Sequence, residues 1–101
     1  MIVYSVMVVI NKDVEDSWLK WMKDKHIEDV LKTGYFTDWD IKKQLNPEPA
    51  ADESTYVISY KTSSLDQYFE YLEKEAPRLQ KEHTDKFYGK FKASRSVYKL
   101  I

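Results

Sequence analysis

The sequence predicts an α+β fold with the element order β-α-β-β-α-β. Three observations carry this. Ile2–Ile10 is a nearly continuous apolar run rich in β-branched residues. Two later stretches, beginning near Val14 and Leu65, repeat apolar residues at helical spacing. Between and after them, apolar and polar residues alternate as in half-buried strands.

Ile2–Ile10 has Ser5 as its only hydroxyl besides Tyr4, so it reads as a strand covered on both faces. Asn11-Lys12-Asp13 ends it, and Asp13 is the expected N-cap of the first helix, with Glu15 and Asp16 in its first turn. Val14, Trp18, Trp21 and Met22 share one apolar face, which His26 extends. Ile27, Val30 and Leu31 continue the helix after a kink, and Gly34 stops it. Residues 35–45 alternate, with Tyr35, Thr37, Trp39, Ile41 and Leu45 on one side. Two prolines make 46–53 a turn, and 54–61 is the next strand, with Tyr56, Ile58 and Tyr60 sharing a side. Ser64 and Gln67 have capping-box spacing. Leu65, Tyr68, Leu72, Ala76 and Leu79 follow at spacings of 3, 4, 4 and 3, and Pro77 must kink or restart that helix. After Gly89, residues 90–101 form the last strand, with Phe91, Ala93, Arg95 and Val97 on one side.

Trp18-Leu19-Lys20-Trp21-Met22-Lys23 aligns with Tyr68-Phe69-Glu70-Tyr71-Leu72-Glu73. Two similar βαβ halves are what a ferredoxin-like sandwich contains. The charge reversal between the helices leads us to expect Lys20, Lys23 and Lys25 opposite Glu70, Glu73 and Glu75. Residues 1–101 are expected to form a single ferredoxin-like domain.

Composition excludes several function classes. There is no Cys, which removes disulfides, thiolate metal sites and a Cys nucleophile. Two Gly leave no phosphate-cradling loop. A net charge of −1 argues against nucleic acid as a partner, and Lys86-Phe87-Tyr88-Gly89-Lys90-Phe91 precedes the wrong strand for an RNA-recognition motif. The longest apolar run is too short to span a membrane and lacks the flanks of a signal peptide, so a cytoplasmic location and no membrane partner are expected. Fifteen aromatics in 101 residues are a large apolar load. A βαββαβ sheet carries both helices on one face, so a homodimer is expected to cover the other.

The candidate site residues are few. His26 lies near the kink of the first helix, where an imidazole is either a base or ligand in a pocket or a helix-end residue bonded to backbone. His83 is the only other histidine, and no metal-binding spacing links the two, so no metal is expected. Arg95 interrupts a small, apolar strand side. It is either a clamp for a ligand carboxylate or half of a structural ion pair inside the dimer, with Asp38 or Asp40 as the candidate carboxylates. Trp21, Trp39 and Tyr56, with Trp18, Tyr4 and Tyr60, either line a slot for a planar ligand or fill core and interface.

The first strand, Trp18-x-x-Trp21-Met22-x-x-x-His26-Ile27, Thr33-Gly34-Tyr35-Phe36-Thr37-Asp38, and Gly89-Lys90-Phe91-x-Ala93-x-Arg95 resemble a small bacterial family of unknown function. That family lies in the dimeric α/β-barrel superfamily, beside antibiotic-biosynthesis-monooxygenase-like and stress-responsive barrel proteins. The resemblance covers nearly the whole chain. It implies a ferredoxin-like protomer, a dimeric α/β barrel and a cavity near the sheet face, but it transfers no activity. The function therefore stands unassigned between two classes. One is a non-catalytic module that holds a small aromatic or acidic ligand and needs no cofactor. The alternative is a cofactor-independent monooxygenase-like or haem-degrading enzyme, with His26 as base or axial ligand and Arg95 and a Trp positioning the substrate.

Overall fold

The computed structural model describes residues 1–101. Strand β1 (Ile2–Asn11) leads through a 3-10 turn (Lys12–Val14) into α1 (Glu15–Trp21), a π-helical turn (Met22–His26) and α2 (Ile27–Lys32). Strands β2 (Asp38–Lys43) and β3 (Glu53–Thr62) follow, then α3 (Leu65–Lys74), α4 (Ala76–Lys86) and β4 (Phe91–Lys99). The four strands form one antiparallel sheet in the order β2-β3-β1-β4. This is the ferredoxin-like α+β sandwich that the sequence predicts. No helix is long and apolar enough to cross a membrane.

Register sorts the side chains. Val6 stands opposite Ile58 on β3 and Arg95 on β4, and Tyr4 stands opposite Tyr60 and Val97. That face meets the helices, where Tyr4, Val8, Ile10, Trp18, Ile27, Val30, Tyr60 and Leu79 are buried in one hydrophobic core. The other face carries Val3, Ser5, Met7 and Val9 beside Lys61, Ser59, Val57 and Thr55, with Ser5 and Ser59 hydrogen-bonded at 2.9 Å. Met7 is exposed there.

The two halves repeat geometrically. Trp18 of the first helical layer tilts against Tyr56 of β3 at 5.2 Å and 49°. Tyr68, its counterpart in α3, tilts against Tyr4 of β1 at 5.1 Å and 48°. The aromatic-for-aromatic correspondence in sequence is thus the same helix-on-strand contact made twice.

Several local expectations are corrected. Asp13 caps no helix; its carboxylate pairs with Lys90 at 2.7 Å, tying the turn after β1 to the approach to β4. Strand β2 begins at Asp38, later than the alternation implies, because Gly34 (φ +84°) ends the helix and Phe36 turns into the core against Tyr4 and Tyr71. Ser64 accepts from the Gln67 backbone N–H at 3.2 Å, but the Gln67 side chain bonds Thr62 and leaves the capping box half made. The charge-reversed helices do not face each other in pairs. Lys20 pairs with Asp24 and Glu70 with Lys74 within their own helices, and only Lys25 reaches across, to Glu82 at 2.8 Å.

Candidate functional site

A cavity of about 40 Å³ lies between the sheet and the helices. At about 10–15 Å³ per water it has room for roughly three waters, or for one small polar group. Its walls are largely aliphatic and aromatic, with His26, His83, Gln80 and Arg95 as the polar members. A haem needs far more room than this cavity offers.

His26 reaches the cavity by way of the π-helical turn. Met22–His26 widens the helix by one residue, and such turns recur at functional sites. The kink expected beyond His26 is this π turn, which ends at His26. The ring stacks on Trp21 at 5.2 Å and meets His83 edge-on at 5.7 Å. Its Nδ1 is enclosed and has no hydrogen-bond partner. Burial lowers its pKa to about 4, against the pull of Glu82 and Asp29, so the imidazole is neutral at neutral pH.

His83, considered from sequence only as a possible metal partner of His26, also lines this cavity. A signal was present: His83 falls four residues after Leu79 and extends the stripe of the second helical region. The Trp18 indole N–H donates to His83 Nε2 at 2.9 Å. The ring also packs edge-on against Phe91 at 4.3 Å. Burial, then His26 and Arg95, lower its pKa to about 4.

Arg95 lines the cavity from β4 and is exposed at its mouth. Within one protomer Arg95 makes no ion pair with Asp38 or Asp40. Arg95 lies on one edge strand and the two aspartates on the other, three strand spacings or about 14 Å away. They also occupy the opposite face, where Asp38 pairs with Lys61 at 3.8 Å and Asp40 pairs with Lys42. No carboxylate pairs with Arg95, whereas Arg78 holds Glu75 at 2.8 Å. The Arg95 guanidinium acts on the Tyr4 hydroxyl, whose pKa burial pushes up and Arg95 draws back down.

The structure brings His26 and Arg95 to one cavity and leaves the three aromatic candidates outside its lining. Trp21 packs behind the histidines against Phe87. Trp39 is 37% exposed on the edge strand β2. Tyr56 is buried under Trp18, and its hydroxyl donates to Glu15 at 2.7 Å. The aromatic walls of the cavity are Tyr4, Tyr60 and Tyr71 instead. No cluster of three or more His, Cys, Asp or Glu side chains forms a metal-binding group.

Solved structures share this fold at low identity. HapK from Hahella chejuensis superposes with a TM-score of 0.72 at 10% identity, over 100% of this chain and 93% of its own. A dimeric ferredoxin-like protein from an uncultured marine organism gives 0.69 at 13%, over 100% and 95%. A mutant of SnoaB, a cofactor-independent oxygenase from Streptomyces nogalater, gives 0.65 at 7%, over 98% and 92%. At such identities the likeness establishes the fold alone. No curated protein matches the sequence significantly. A family model described as a domain of unknown function, DUF4286, matches residues 1–101, and the chain belongs to that family.

Proposed function

We propose that this protein is a homodimeric binding module whose cavity takes the carboxylate of a small acidic molecule, without turnover. The observation that carries the reading is Arg95, a guanidinium with no carboxylate partner at the mouth of an apolar, tyrosine-walled cavity. A free guanidinium offers a planar fork of donors that matches a carboxylate. The cavity volume suits the carboxylate itself, with the rest of the ligand lying at the mouth beside Arg95.

The homodimer is supported by the open sheet face, where Val3, Met7, Val9 and Val57 have no helix above them. A second sheet stacked there gives a closed barrel. The description of one structural neighbour as dimeric agrees with this. A single domain, a cytoplasmic location and no nucleic-acid partner complete the reading, the last supported by the net charge of −1.

Titration calorimetry with acetate and benzoate tests the binding claim. Saturable binding that Arg95→Gln weakens by at least about tenfold is expected, since charge-assisted bonds are worth about 1.5–3 kcal/mol. Equal affinity in wild type and Arg95→Gln contradicts it.

A second reading is favoured by one observation, the neutral His26 with its unpartnered Nδ1. A neutral imidazole at a cavity is a general base, as an enzyme of the cofactor-independent oxygenase kind requires. Dioxygen uptake with a hydroquinone above the uncatalysed rate, abolished by His26→Ala, would decide for this reading.

A further inference from the structure

We propose that His83 is a second donor to the bound anion, and that Trp18 holds it in the tautomer that makes it one. This rests on the acidic-ligand reading above.

The indole N–H of Trp18 is a donor and has no acceptor capacity. The imidazole nitrogen it meets at 2.9 Å, Nε2 of His83, must therefore present a lone pair. A neutral ring whose Nε2 accepts carries its proton on Nδ1. Trp18 is fully buried, wedged against Tyr56, and is not part of the cavity wall, whereas His83 is. The Nε2 edge of the ring thus points away from the cavity, toward Trp18. Phe91 at 4.3 Å and Phe87 at 5.7 Å fix the ring plane.

Nδ1–H of His83 donates to no protein acceptor, and unlike His26 Nδ1 it is not fully enclosed. The cavity therefore holds two donors without a carboxylate partner, the guanidinium of Arg95 from β4, which bears on the Tyr4 hydroxyl, and the imidazole N–H of His83 from α4. A carboxylate satisfies both, because its two oxygens only accept. A cation or a hydrocarbon satisfies neither. Trp18 never touches the ligand; it is a positioning residue that acts through His83.

Nitrogen-15 NMR of the imidazoles, with acetate as probe, tests this in the intact protein. In the wild type, His83 is expected to carry its proton on Nδ1. His83→Phe, which keeps an aromatic ring and loses the donor, is expected to weaken acetate binding about tenfold. His83→Asn puts an amide N–H where Nδ1–H stood and is expected to retain most of the affinity. Trp18→Phe is expected to let His83 sample both tautomers and to weaken acetate severalfold; should that variant fail to fold, the wild-type tautomer and the His83 variants carry the test. A proton on Nε2 in the wild type, or unchanged affinity in His83→Phe, overturns this proposal alone. No saturable acetate binding in the wild type overturns the acidic-ligand reading and this proposal with it.

Discussion

Trp18 and His83, 65 residues apart in sequence, are joined by a 2.9 Å hydrogen bond that ties the first helical layer to the second. The bond needs a neutral imidazole, and burial keeps both His83 and His26 neutral, with pKa values near 4 against the ordinary 6.5. The folded state thus binds fewer protons than the unfolded chain between these values. The stabilisation is fully present above pH 6.5 and is lost as pH falls from there toward 4. Each ring accounts for about 3 kcal/mol at the acid limit, and less for two rings in contact. Urea unfolding from pH 8 to pH 4.5 is expected to show a steep decline below pH 6, shallower in His83→Phe. A flat profile would contradict the neutral-pair assignment.

Glu15 anchors the start of α1 to the sheet. Its carboxylate accepts from Tyr56 at 2.7 Å and Ser54 at 2.9 Å, with Lys43 at 3.3 Å, and the Tyr56 hydroxyl is the main cause of its lowered pKa. Tyr56→Phe is expected to destabilise the fold by about 1–3 kcal/mol, the usual worth of a hydrogen bond to a charge. Ligand affinity is expected to stay within twofold, since Tyr56 lies outside the cavity lining. Chemical denaturation paired with calorimetry checks both halves.

Pro77 sits in the first turn of α4, after the break at Glu75. Its missing N–H is one that the helix start leaves unbonded anyway. Pro77→Ala is therefore expected to shift stability by no more than about 1 kcal/mol. A larger loss in thermal or urea melts would mean that the ring packs in a way the helix restart does not explain.

On the open sheet face, Met7 is 39% exposed and stands opposite Val57 and Ser94. Met7→Lys places a charge at the centre of the surface proposed to bury a second sheet. Light scattering is expected to report a dimer for wild type and a monomer for Met7→Lys, with unchanged far-ultraviolet circular dichroism. A wild-type mass near the 12.1 kDa of one chain would contradict the dimer.

The fold was legible because β-branched runs, period-two alternation and two aromatic-rich helices agree with one another. The Pro77 restart was legible too, since proline's missing donor acts locally. The site was less so. His26 lies on the apolar stripe, but nothing local signals that the helix widens into a π turn at Met22–His26 to deliver it. Candidate carboxylates for Arg95 can be counted from sequence, whereas the strand order that separates them within a protomer cannot. Asp38 and Asp40 end on the far edge strand and the far face. Leu65 belongs to the apolar spacing of the second helical region yet is exposed at the first position of α3, while Tyr68 and Tyr71 are the buried residues of that helix.

Chemical-shift mapping of acetate on uniformly nitrogen-15-labelled protein, in wild type and Arg95→Gln, tests the central claim most directly. The account predicts saturable shifts in the wild type confined to the cavity wall, at His83, Gln80, Ala93 and Arg95, and their loss in Arg95→Gln with the rest of the spectrum unchanged. Saturable shifts centred elsewhere, or persisting undiminished in Arg95→Gln, would contradict it.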